Sequence, residues 1–397
     1  MQKEINFPPR KHLIFFAILA IIIFVIFYFL LPAYFPTVSN KVISEGVATS
    51  TASTTKPFLV THISTPKPVK AIYMTACVVA TPSFREKLKK IAETTEINSI
   101  LIDVKDYTGT ITFNSENPLF KDNIGLGCKM KDVKEFIGEL HKSNIYVIAR
   151  ISTFQDKYLV NKRPDLAVKK KSDGTVWKDY KGVSWLDAGS KEVWNYISEL
   201  GKESYAIGFD ELNFDYIRFP SDGNMKDIAY IFADGRTKSD VIKDFSAYIS
   251  SIFKPLNIPI SADVFGMVAT NKDDLNIGQI LENFLPYFDY IAPMVYPSHY
   301  PPTFLGYKNP ADYPYEVVKD SMTTAATRAI AASSTINKLR PWLQDFNLGA
   351  DYTADMVRKQ IQATYDSGLD SWMLWDAGNT YTVGALLPKA TSTKKTI

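Results

Sequence analysis

The sequence is poor in the side chains on which metal and nucleophile chemistry is usually built. It has four histidines, His12, His62, His141 and His299, and two cysteines, Cys77 and Cys128. No His-x-x-x-His or Cys-x-x-Cys pair occurs, so no zinc site of those ligands is expected. A Gly-x-Ser-x-Gly elbow and a Gly-x-x-x-x-Gly-Lys-Ser/Thr loop are both missing, which argues against serine hydrolases and nucleotide hydrolases. Net charge is only +3 over 397 residues and no long Lys/Arg run appears, so nucleic acid is not an expected partner. Nothing that remains requires a cofactor or a metal.

What the chain does have is apolar and aromatic mass. Hydrophobic residues make up 46% and charged residues 22%, enough for a large core and too apolar for general disorder. Aromatics reach 13%. Filling a core is their ordinary use, but the same rings stack on flat ligands such as sugars.

Leu13 to Leu31 is an unbroken apolar run long enough to cross a bilayer. Lys3, Arg10 and Lys11 precede it and the next basic residue is Lys41, which orients the N-terminus to the cytoplasm. Bulky Tyr34 and Phe35 follow instead of a small-x-small cleavage site, so an uncleaved single-pass anchor is expected rather than a signal peptide. The organisation expected is residues 1–12 cytoplasmic, 13–31 transmembrane, 32–68 a Ser/Thr/Pro-rich linker, 69–388 a folded extracytoplasmic domain and 389–397 a tail. His12 and His62 then fall outside the folded domain. Export permits a Cys77–Cys128 disulfide, with two buried thiols as the alternative.

From Val69 strand and helix signals alternate. Strands are expected at 71–76, 99–104, 146–152, within 208–223, and at 259–266, 289–296, 340–346 and 371–376. Thr81 and Pro82 mark a helix start, Ser190 caps a helix to about Tyr205, and helices are expected over 238–253, 275–288, within 313–334 and over 355–367. The long connection 154–189, holding Trp177 and Trp185, exceeds a simple link. Eight strand–helix repeats predict an α/β fold, a (β/α)8 TIM barrel, with chemistry at the C-terminal ends of the strands.

Those ends carry Asp103, Lys105, Asp106, Arg150, Asp215, Asp263, Tyr296, Gln344, Trp375 and Asp376. In 208–223, GFDELNFDYIRFPSDG, strand alternation puts Glu211, Asn213 and Asp215 on one face. With no metal or activated Ser or Cys indicated, carboxylates are the available catalysts, and glycoside hydrolysis needs two. Asp215 is the expected nucleophile or general base, with Arg218 helping to keep it ionised. Asp263, among Val264, Phe265 and Met267, is the expected general acid. Glu211 is a third catalytic candidate, or else a buried partner of Lys105 or Arg150. Asp103, Lys105, Arg150, Arg218, Tyr296, Trp375 and Asp376 are expected to bind substrate, with Trp177 and Trp185 as further sugar platforms.

The run FDELNFDYIRFPSDG, with IDVKD before it and YIAPMVYPSHY after it, resembles the putative glycosyl hydrolase family first catalogued as domain of unknown function 4015, over about Lys70 to Leu386. The resemblance implies a TIM barrel distantly similar to the α-amylase superfamily, with Asp215 at the position of the strand-four nucleophile. Two positions depart from that superfamily: Asn213 stands where it has Arg, and Asp263 where it has Glu. The expected function is a membrane-anchored glycoside hydrolase of the cell envelope acting on a polysaccharide or oligosaccharide. The alternative is a carbohydrate-binding barrel without turnover.

Overall fold

Eight parallel strands close on themselves in the computed structural model, which describes residues 59–125, 128–233 and 235–390. They are β1 (Lys70–Met74), β2 (Ser99–Lys105), β3 (Tyr146–Ser152), β4 (Glu211–Asp215), β5 (Ile260–Phe265), β6 (Tyr290–Met294), β7 (Trp342–Gln344) and β8 (Trp372–Trp375). Each pairs with the next in chain order and β1 pairs with β8, which is the barrel expected from the sequence. Every residue of SILIDVK in β2 and YVIARIS in β3 is buried, because the barrel interior covers one face and helices the other. The outer layer holds α1 (Pro82–Thr94), α2 (Val133–Lys142), α3 (Lys191–Ala206), α4 (Lys238–Phe253), α5 (Pro314–Ala331) and α6 (Ala354–Asp366). Inside, Ala71, Leu101, Tyr146, Ile148, Trp342 and Met373 pack in a core of their own.

Three local expectations are corrected. No helix spans 275–288: Leu275 and Asn276 have φ of 50° and 55°, and only Leu281–Phe284 makes a turn of helix. The Asp274 side chain takes the Asn276 N–H at 2.9 Å, competing with helical bonding, and Gly278 sits at φ 87°. Thr81 occupies the N-cap of α1, but its hydroxyl donates to the Cys77 carbonyl at 2.9 Å instead of capping. Ser190 and Thr237 do cap α3 and α4. Cys77 and Cys128 are joined, with Cα atoms 4.5 Å apart.

The third correction concerns where the folded body starts. Residues 59–68, expected in the linker, pack against it. The Ile63 N–H donates to Asp210 Oδ1 at 2.8 Å, Thr65 bonds the Tyr146 hydroxyl at 2.9 Å, and His62 stacks on Tyr205 at 4.0 Å. Burial works against the Asp210 charge, but the rings of His141 at 2.9 Å and His62 at 3.7 Å, with the Val147 N–H, hold its pKa below the usual carboxylate range. That contribution is present above the unfolded-state pKa and is lost as pH falls through the depressed value. A chain starting at Lys67 is expected to be less stable than one starting at Leu59 by on the order of 3 kcal/mol at pH 7. Coincident urea midpoints for the two would refute this.

The apolar run Leu13–Leu31 lies outside the described residues. Among the described residues no helix is long and apolar enough to cross a membrane.

Candidate active site

At the C-terminal end of the barrel a cavity of about 360 Å³ opens between the strand ends, within the range of small-ligand sites. Its walls include Arg150, Asp215, Arg218, Asp263, Tyr296 and Trp375. All six were expected at the site from sequence.

β4 delivers Asp215 as its last residue. The chain then turns sharply, since Tyr216 adopts φ 54°, a conformation that costs a non-glycine residue about 1–3 kcal/mol. That turn aims the Tyr216 N–H back at Asp215 Oδ1, 2.6 Å away. The other oxygen, Oδ2, accepts from Arg150 Nε at 3.1 Å and from Nη2 as well. Arg150 also donates through Nη1 to Asp103 Oδ1 at 2.6 Å, and Asp103 Oδ2 accepts from the Tyr73 hydroxyl. Burial alone would disfavour the Arg150 charge; Asp215 and Asp103 more than offset it and hold its pKa well above the ordinary value. Burial raises the Asp103 pKa despite the same guanidinium.

β5 runs beside β4, and the pair Phe214↔Ala262 puts Asp215 and Asp263 on neighbouring strands with backbones about 5 Å apart. Asp263 Oδ1 accepts from Asn213 Nδ2 and from Trp342 Nε1, both at 2.9 Å. Oδ2 takes no partner among the described residues, so a proton on this carboxyl belongs on Oδ2. Burial, then the nearby Asp215 charge, push the Asp263 pKa up to about 8. Two buried carboxyl groups in one cavity thus have opposed environments, one forked by a guanidinium and one whose charge is disfavoured by burial and by its neighbour.

Several expected residues have other partners or lie away from the cavity. Glu211 is on the predicted face of β4 but at its N-terminal end, where Arg340 Nη1 pairs with it at 2.8 Å and the Tyr146 hydroxyl donates at 3.1 Å. Its partner is therefore neither Lys105 nor Arg150. Lys105 is fully buried and pairs with Asp156 at 3.0 Å. The Asp376 carboxylate accepts from the Gly378 and Thr380 N–H groups and shapes its own loop. Trp177 and Trp185 are in the core, not presented to a ligand. Arg218 does not pair with Asp215; Arg150 does. Trp375 is half-buried, stacked on Tyr73 at 4.1 Å with Arg150 over its ring at 5.1 Å.

The structure adds residues that sequence reasoning missed. Trp342 and Tyr73 read as ordinary apolar strand positions, and only the closed barrel shows that they point inward. Gln279, in the segment expected to be helical, bridges the two strand ends by accepting from the Phe265 N–H at 2.9 Å and donating to the Ile217 carbonyl at 3.2 Å. His299 also lines the cavity, and burial lowers its pKa. Gly266, after β5, has no room for a Cβ, which would lie 2.4 Å from the Met294 carbonyl oxygen.

The family model described as a putative glycosyl hydrolase domain matches residues 71–381. Among solved structures, a hypothetical protein from Ruminiclostridium thermocellum is 33% identical over 49% of this chain and 97% of its own, with a TM-score of 0.43. The PgaB (BpsB) glycoside hydrolase domain from Bordetella bronchiseptica is 12% identical over 79% of this chain and 95% of its own, with a TM-score of 0.57. The α-L-fucosidase isoenzyme 2 from Paenibacillus thiaminolyticus is 12% identical over 80% of this chain and 48% of its own, with a TM-score of 0.55. The last two share the fold. No curated protein matches the chain.

Proposed function

This chain belongs to the putative glycosyl hydrolase domain family, and from that premise we propose that it is a membrane-anchored glycoside hydrolase cleaving a polysaccharide outside the cytoplasm. The observation that carries the reading is the pair Asp215 and Asp263, whose surroundings differ as two-carboxylate hydrolysis requires. Asp263, protonated on Oδ2, donates to the leaving glycosidic oxygen. Asp215, fixed by Arg150 and the Tyr216 N–H, attacks the anomeric carbon or takes a proton from the attacking water. Trp375 and Tyr296 supply flat apolar surface for sugar rings. The apolar run Leu13–Leu31 and the positive flank before it support the anchor and the outward orientation.

The test is release of reducing ends from cell-envelope and plant-type glycans by a fragment from Leu59 onward. At least one glycan should be cleaved, and binding without cleavage across the panel would defeat the hydrolase reading. The pH profile is a further expectation. A general acid works only while protonated, so kcat/KM should fall as pH rises through about 8. An alkaline limb starting below pH 6 would contradict this role for Asp263.

A further inference from the structure

Five cationic side chains of the described domain are buried: Lys105, Arg150, Arg218, Arg328 and Arg340. Four have carboxylate partners. Lys105 pairs with Asp156 at 3.0 Å, Arg150 with Asp103 at 2.6 Å, Arg328 with Glu282 at 2.6 Å and Arg340 with Glu211 at 2.8 Å. Arg218 has none among the described residues. It is 7% exposed, and its guanidinium lies among three rings, 4.6 Å from Phe265, 4.8 Å from Trp185 and 5.4 Å from Tyr216. Nη1 donates to the Phe219 carbonyl at 3.0 Å and to Ser221 Oγ at 3.3 Å. Nε and Nη2 have no partner among the described residues. Neither is among the buried polar atoms sealed without one, so this edge is not closed off, and Arg218 is one of the residues that line the cavity.

A buried charge without a counter-charge is expensive. Ring contacts return only about 0.5–2 kcal/mol, and burial draws the Arg218 pKa below the usual arginine value. The rings fix the guanidinium plane, and its free Nε/Nη2 edge is the one that grips two oxygens of a carboxylate or phosphate. Arg150, the cavity's other guanidinium, is already taken by two carboxylates. We propose that Arg218 is an anion receptor and that the substrate is an acidic glycan, with a uronic-acid carboxylate or a sugar phosphate placed beside the catalytic pair. This rests on the glycoside hydrolase reading for the word substrate, but not for the anion site itself.

The experiment is calorimetric titration of the full chain carrying Asp263→Asn, which blocks turnover while matching the shape of the protonated acid. Three ligands are compared: a glucuronate-containing oligosaccharide, its carboxyl-reduced neutral counterpart, and a phosphorylated oligosaccharide. An acidic ligand should bind about tenfold to hundredfold tighter than the neutral one, and which acid wins identifies the group. Adding Arg218→Gln should collapse that ratio towards one, and Arg218→Lys should restore part of it. Equal affinity for acidic and neutral ligands, no binding of any, or a preference that survives Arg218→Gln overturns the proposal. The comparison on the Arg218 protein needs no folded Gln variant. If the wild-type chain hydrolyses nothing while the preference persists, the hydrolase reading falls and the anion site stands.

Discussion

Exchanging Asp263 for Asn is expected to lower kcat by about 10²- to 10⁴-fold on a natural glycan, and Asp215→Asn by at least as much. The two losses should differ with the leaving group. A nitrophenyl glycoside needs little protonation to depart, so Asp263→Asn should recover much of its rate there, while Asp215→Asn should not. The geometry makes Asp263→Asn a clean exchange. The Asn oxygen can still accept from Asn213 and Trp342, and the free side keeps an N–H donor but loses its transferable proton. The alkaline limb near pH 8 should disappear with it. If Asp263→Asn stays inactive on the nitrophenyl glycoside while Asp215→Asn is revived there, the roles are reversed. If neither exchange changes hydrolysis, this pair does not carry the reaction.

The barrel was legible because a parallel strand covered on both faces leaves a continuous apolar run. SILIDVK and YVIARIS could be read directly, and Ser190 marked its helix by the capping chemistry it performs. The failure at 275–288 has the opposite cause. Leu281, Phe284, Leu285 and Phe288 supply helical spacing, but upstream Asp274 and Asn276 bind the local backbone and Gly278 adopts positive φ. An apolar pattern records what is buried and is silent on polar groups that compete for the same N–H.

The site was legible to the depth that strand parity allows. Alternation placed Glu211, Asn213 and Asp215 on one face, and all three do point into the barrel. Parity cannot say that Glu211 is at the other end, because that depends on register with strands far away in the chain. Arg340 is its partner only because β7 comes round to meet it. The same limit explains the misassigned arginine. Arg218 is three residues from Asp215 in sequence, yet Arg150 is the residue opposite Asn213 in the β3/β4 register and the one that reaches the carboxylate. Where the resemblance leads one to expect an arginine at position 213, the guanidinium comes from the neighbouring strand.

Replacing Arg150 with Met should therefore be the most destabilising change at the site. It would leave Asp103 and Asp215, each 5% exposed, without their shared counter-charge. Breaking a buried pair from one side costs about 3–5 kcal/mol, more than the pair's net contribution, because the stranded charge must stay desolvated. Here two are stranded. Burial already raises the Asp103 pKa and loss of the guanidinium should raise it further, so the stability gap to wild type should be larger at pH 7 than at about pH 4, close to the unfolded-state value. Adding Asp103→Asn should recover part of the loss. Urea denaturation at both pH values reads this directly, and a variant as stable as wild type at pH 7 would show that the pairs are not formed. Arg218→Gln provides the contrast. It removes a buried charge that breaks no ion pair, so its stability should match or exceed wild type. Arg150 is held by the protein's own carboxylates, whereas Arg218 is kept at a cost to folding that a bound anion would offset.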